Sequence, residues 1–174
     1  MNTTKKVLIT LLLLISTNLI MGQKSPVDKL FDKYSGKEGY TSVFISKYMF
    51  DLFTDVSSDD KELNQVVRGL SSIKILATET EGEGVNFHNE IMKELPAKDY
   101  KELMVIKEKD QDLKFLVKDI NGRIVELLLI IGGSENALIC IQGENINLKN
   151  ISNLSKSMKI EGLENLDKIN SEEK

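Results

Sequence analysis

Apolar and polar positions follow two periods along this chain, and the period switches where one element gives way to the next. After Pro26, Val27, Leu30, Phe31 and Tyr34 recur at i, i+3, i+4 and i+7, which predicts a short helix with proline at its start. Ser35-Gly36 closes it. From 39 to 46 the period is two: Thr41, Val43 and Ile45 share one side of a strand, and Ser42, Phe44 and Ser46 the other. Tyr48, Met49, Leu52, Phe53 and Val56 return to helical spacing. Ser57-Ser58-Asp59-Asp60 breaks that helix, and Asp59 with Glu62 has capping-box spacing for the next one. That next helix turns Leu63, Val66, Val67 and Leu70 inward, with Gly69 near its end. A strand follows over 73–80, then the acidic turn Glu81-Gly82-Glu83-Gly84. Phe87, Ile91 and Leu95, spaced by four, predict another helix that Pro96 stops or redirects. Residues 99–104 read as a short helical turn.

Beyond this point strands dominate. Residues 103–108, 113–119, 123–131 and 136–142 read as four consecutive strands. Lys109-Asp110-Gln111, Asn121-Gly122 and Gly132-Gly133-Ser134 supply the turns, and Asn-Gly is a strong type I′ hairpin signal because both central residues must take positive φ. Short turns make the group an antiparallel meander. Asn147 caps a last helix with Leu148, Ile151, Leu154 and Met158 inward. The expected fold is α+β: an antiparallel sheet dominated by the C-terminal four-strand meander, with helices packed against it.

The third meander strand is apolar on both sides. Strict alternation sends Ile124, Leu128 and Ile130 one way and Val125, Leu127, Leu129 and Ile131 the other. Its neighbour carries Ala137, Ile139 and Ile141 on one face, Leu138 and Cys140 on the opposite face. A sheet buried on one face alone would show polar alternation, so both faces are expected to be covered. Helices on both sides satisfy this. So does an apolar face kept for a partner subunit or a lipid-like ligand. On the second reading the contact surface is Val125, Leu127, Leu129 and Ile131 with Leu138.

The first residues are patterned as an export signal. Lys5 and Lys6 precede an apolar run from Val7 to Ile15 broken only by Thr10; Ser16, Thr17 and Asn18 follow, and Gly22-Gln23 is the expected cleavage point. Ile20 departs from the small residue usual before a cut. The apolar stretch is short and interrupted for a membrane span, which needs roughly 20 residues. The only cysteine, Cys140, rules out lipid attachment just after the leader. The expected organisation is a signal peptide over 1–22, one α+β domain over 23–160 and a polar tail over 161–174, with no transmembrane segment after signal removal. The product is then soluble in the periplasm or at the cell surface.

Composition narrows the function classes. The chain has 23 basic and 27 acidic residues; removing Lys5 and Lys6 leaves 21 against 27, a charge of −6. Arg68 and Arg123 are the only arginines, so no nucleic-acid partner is expected, since phosphate affinity needs clustered cations. One cysteine makes no internal disulfide. His88 is the only histidine, and neighbouring Glu90 is the carboxylate that would orient it in a hydrolase. One His and one Cys do not make a typical zinc site. Asp51, Asp55, Asp59 and Asp60 lack the glycine and spacing of a calcium loop. Gly82-Glu83-Gly84 lacks the third glycine of a dinucleotide fingerprint, and no nucleophile elbow, P-loop or metalloprotease motif is present. No catalytic residue, metal or cofactor is therefore expected, and Cys140, between Ile139 and Ile141, reads as a buried small hydrophobe.

Several segments resemble an exported bacterial family catalogued as domain of unknown function 4252, common in Bacteroidota. They are Leu30-Phe31-Asp32-Lys33-Tyr34-Ser35-Gly36-Lys37-Glu38-Gly39, Thr41-Ser42-Val43, Ile45-Ser46-Lys47 and Met49-Phe50. The C-terminal block matches as well, from Glu126 to Gly133, Leu138 to Gly143 and Leu148 to Met158. The resemblance implies export and a single fold over nearly all of the mature chain, and brings no catalytic residues. The expected function is an exported, non-enzymatic binding or interaction protein of the bacterial cell envelope. Its partner is a protein, a second copy included, or an apolar ligand. The alternative is an envelope hydrolase using a carboxylate or His88.

Overall fold

The computed structural model describes residues 24–56, 64, 67–79 and 85–151. The expected leader, the Asp59 cap, the 81–84 turn, the positions Leu154 and Met158, and the 161–174 tail lie outside these residues.

Local sequence accounts for each element. Helix α1 (Pro26–Tyr34) opens with Ser25, whose hydroxyl accepts from the Asp28 N–H at 3.1 Å, and Pro26 occupies the first turn. Strand β1 (Tyr40–Ser46) runs directly into α2 (Lys47–Val56). Strand β2 (Leu70–Thr78) precedes α3 (Phe87–Glu94), where the Asn86 side chain accepts from the Asn89 N–H at 2.9 Å. A 3-10 turn (Ala97–Asp99) then leads into β3 (Tyr100–Lys107), β4 (Gln111–Ile120), β5 (Arg123–Gly133) and β6 (Ala137–Gly143).

The six strands form one antiparallel sheet in the order β1-β2-β6-β5-β4-β3. Strands β3 to β6 are the meander read from the turns, and β2 adds to its last strand. At the β4–β5 hairpin Asn121 and Gly122 both take positive φ, 55° and 78°, and the Asp119 carboxylate accepts from the Gly122 N–H at 3.1 Å. Asn147 caps the final described helix, accepting from the N–H of Lys149 at 3.0 Å.

Two elements differ from the expected pattern. Residues 100–104 are strand, because the helical turn ends at Asp99 and the segment pairs with β4. Leu70 begins β2 instead of ending a helix, since Gly69 is already the turn. A bulge also changes the faces of β5. Lys118 pairs with Glu126, but Asp119 pairs with Ile124, so Val125 is the extra residue. Ile124 thereby joins the side of Leu127 and Leu129, not that of Leu128.

Both sheet faces are covered. On one, Val27, Leu30 and Tyr34 of α1 and Phe87 and Ile91 of α3 pack on Leu76, Leu116, Leu128, Ile130, Leu138 and Cys140. On the other, Phe50, Val67, Ile146 and Ile151 pack on Ile73, Phe115, Leu127, Leu129, Ile139 and Ile141. Gly132 allows α3 to approach the sheet so closely. A Cβ there would lie 2.7 Å from both Asn86 Oδ1 and His88 Cβ.

Candidate interaction surface

The five residues expected to form an apolar contact face do not share one. Leu127 and Leu129 are 0% exposed, and Leu138, at 2%, lies on the opposite side of the sheet. The ladder explains the correction. Leu127 opposes Ile141 and Leu129 opposes Ile139, while Leu138 opposes Ile130. Directly opposed residues share a face, so Leu138 sits with Leu128 and Ile130 beneath α1 and α3. Val125 is half-buried at the bulge and Ile131 half-buried toward the end of β5. The interior of the sheet is core on both sides.

One end of the α1/α3 face carries a polar row. Glu126, which interrupts the apolar run of β5, accepts from the Tyr100 hydroxyl at 2.6 Å and from Gln142 Nε2 at 2.9 Å. Gln142 Oε1 accepts from the Ser72 hydroxyl at 3.0 Å. Burial, and then the hydrogen bond to Glu126, push the Tyr100 hydroxyl above the ordinary tyrosine range. Burial and the same carboxylate push the Cys140 thiol up, which keeps it protonated and unreactive. The break in the apolar run at Glu126 was the sequence signal for this row; its partners on three other strands were not legible. The donors and acceptors satisfy one another, and the row is read as structural.

Lys74 of β2 extends the row to α1. Its ammonium bonds the Asp28 carboxylate and lies 5.8 Å from the centre of the Phe44 ring. Partial burial alone would raise the Asp28 carboxyl, but the hydrogen bonds from Lys74 and Ser25 outweigh it and hold it below the usual range. A lowered folded value adds stability above the unfolded carboxylate range, near pH 4, and that stability fades as pH falls through the folded value. Lys74→Met is expected to cost about 1–2 kcal/mol at neutral pH, discounted for the partial exposure of the pair. Urea unfolding should also show the variant's stability falling less between neutral pH and pH 3 than that of the parent.

His88 and Glu90 are not brought together as a catalytic pair. Glu90 accepts from Lys33 at 3.0 Å and from the Tyr34 hydroxyl at 3.2 Å, which ties α3 to α1. His88 is half-buried against Gly132. A groove of about 150 Å³ runs between the two helices over Leu30 and Ile91, with the ion pairs Lys29–Glu94 and Lys33–Glu90 at its rim. Ligand pockets are usually about 300–1,000 Å³, so the groove suits no sizeable ligand.

What remains is the β1 side of the sheet. Phe44 is 57% exposed and Tyr48 71%, and Val43, Met49 and Leu52 are exposed as well. Val43 and Phe44 point to opposite faces of the strand, Phe44 beside Lys74 on the α1/α3 face, and helix α2, which starts directly after β1, carries Tyr48, Met49 and Leu52. Phe50 anchors the helix to the core from its other side. Strand β1, Tyr-Thr-Ser-Val-Phe-Ile-Ser, contains no charge and no proline, and among the described residues its outer edge pairs with no other strand. The opposite edge strand β3 carries Lys101, Glu102 and Lys107 and a bulge between Glu102 and Met104. Charges and bulges are the usual protection of an exposed edge against pairing. One edge has them and the other does not. The sequence showed β1 and α2 as elements but held no sign that their apolar residues stay uncovered, because both periods look like those of buried elements.

One antiparallel sheet, clad by helices on both faces and bare at one edge among the described residues, defines an α+β domain whose accessible chemistry lies on its surface. No helix among the described residues is long and apolar enough to cross a membrane. The chain belongs to the family described as Domain of unknown function (DUF4252), whose profile matches residues 34–154, a span that includes all six strands. No curated protein and no solved structure matches it.

Proposed function

We propose that this is an exported, non-enzymatic interaction protein of the bacterial cell envelope that works through the apolar edge of β1 and α2. The observation that carries the reading is that five of the exposed large apolar residues, Val43, Phe44, Tyr48, Met49 and Leu52, fall on the uncharged edge strand β1 and the helix that follows it. Grouped apolar side chains on a surface mark interaction sites more often than scattered ones do. Export is supported by Lys5 and Lys6 ahead of the apolar run from Val7 to Ile15.

The test has two parts. Cell fractionation and intact mass are expected to find the protein in the envelope, starting at Gln23; a cytoplasmic protein starting at Met1 overturns export. Chemical cross-linking of intact cells is expected to give a discrete larger species. The double variant Tyr48→Lys/Leu52→Lys should lose it, while Ile120→Lys, an exposed position on β4, should keep it. Equal cross-linking in all three proteins overturns the assigned surface.

A further inference from the structure

We propose that Asn121 is a site of spontaneous deamidation, and that the fold restrains the reaction by holding the Gly122 N–H on the Asp119 carboxylate. The only co-reactant is water.

Asn121 is the only asparagine of the chain that glycine follows. The pair forms a two-residue loop between Ile120 and Arg123, which oppose each other across β4 and β5, and both loop residues are exposed. A side chain on residue 122 would crowd its own nitrogen, and glycine has none. A Cβ built there would meet nothing within 4 Å, so no neighbouring element screens the loop. Nucleophile and electrophile thus sit in adjacent residues, open to water.

The step balances without oxidant or enzyme. The Gly122 nitrogen attacks Cγ of Asn121 and gives up its proton. The Cγ–Nδ2 bond breaks, and Nδ2 leaves with that proton as ammonia. Water then adds to one of the two carbonyl carbons of the five-membered succinimide. Addition at Cγ breaks the new N–Cγ bond and leaves aspartate on the normal backbone. Addition at the main-chain carbonyl carbon breaks the old peptide bond and leaves isoaspartate, whose backbone runs through Cβ. Either product carries a carboxylate where the amide stood.

The turn opposes ring closure. Asn121 and Gly122 have φ of 55° and 78°, the two positive values of a type I′ turn. In that turn ψ of the first loop residue is about +30°. The ring brings the Gly122 nitrogen toward Cγ and fixes that ψ near the type II′ value, about −120°. The sign of φ at residue 121 already suits the ring, but the peptide between the two residues must turn over. The Gly122 N–H donates to Asp119 Oδ1 at 3.1 Å, and this bond breaks when the peptide turns. The carboxylate also opposes loss of the N–H proton, because it sets negative charge beside the nitrogen that must become electron-rich. Asp119 is therefore a positioning residue that acts against the reaction.

Timed incubation of the purified protein at neutral pH, read by peptide mapping for the exchange of amide for carboxylate, tests both parts. In denaturant the parent and Asp119→Ala are expected to convert residue 121 at equal rates. Both should do so well ahead of Asn145 and Asn147, which Ile146 and Leu148 follow. In the folded state the parent should be slower than in denaturant. Folded Asp119→Ala should react about tenfold faster than the folded parent, the factor that one exposed hydrogen bond to a charged group supplies. Lys74→Met, destabilised far from the turn, should keep the parent's rate, which separates the restraint from a general loss of stability. Asp119→Asn retains an acceptor oxygen without the charge; its rate should fall between those of the parent and Asp119→Ala, and it serves should the alanine variant misfold. No conversion at residue 121 in denaturant overturns the site. Asp119 variants no faster than the parent overturn the restraint, and a slower rate would make the carboxylate the base that draws the proton off. An equal acceleration in Lys74→Met overturns the restraint as well.

Discussion

Leu129→Lys is expected to leave the chain without a cooperative fold. Leu129 sits midway along β5, opposite Phe115 on one neighbour and Ile139 on the other, and is fully buried. Losing its burial removes roughly 1.5–3 kcal/mol. An ammonium placed there has no carboxylate among the cluster of Phe115, Leu127, Ile139 and Ile141 to pair with. An unpaired buried charge costs several kcal/mol more. The total is comparable with the whole stability of a domain, about 5–15 kcal/mol. Urea titration followed by circular dichroism should show no unfolding transition, while Leu52→Lys, on the exposed side of α2, should change the unfolding free energy by no more than about 0.5 kcal/mol. A normal transition in Leu129→Lys would mean that this sheet face is accessible surface after all.

That contrast marks how far the sequence could be read. Period two and the Asn121-Gly122 turn were enough to find the meander, because hairpin geometry is local. Apolar residues on both sides of β5 correctly implied cover on both faces. Whether helices or a partner supply the cover depends on where α1, α2 and α3 pack, and no local period encodes that. The pairing of Leu138 with the wrong face has a simple cause. Without the register, the two faces of β6 are interchangeable, and a shift of one residue exchanges them. The misassigned Ile124 has another cause: the bulge at Val125 breaks the alternation that the reading assumed. The exposed edge was the least legible part. Val43 and Phe44 have the pattern of a strand in a sheet, and only the strand order shows β1 at its margin.

The polar row around Glu126 makes the second large prediction, because its parts are worth more together than one by one. Glu126→Leu strips the acceptor from both the Tyr100 hydroxyl and Gln142 Nε2. Two part-buried donors left without partners cost about 3 kcal/mol in all. Tyr100→Phe alone gives up one charge-assisted bond, about 1.5 kcal/mol. The double variant removes donor and acceptor together, so it should be less destabilised than the sum of the singles by about 1 kcal/mol, read from a double-mutant cycle in urea. Exact additivity would show that the Tyr100–Glu126 bond contributes nothing. Alkaline pH gives an independent readout. Burial and Glu126 keep Tyr100 protonated where a free tyrosine ionises. A raised folded value means stability that is complete below about pH 10, the unfolded value, and is lost as pH rises beyond it. Tyr100→Phe has no such group to ionise, so its stability should fall less steeply above pH 10 than that of the parent protein. Parallel pH profiles for the two proteins would place Tyr100 in water rather than in the polar row, and would free Glu126 to face something other than its own fold.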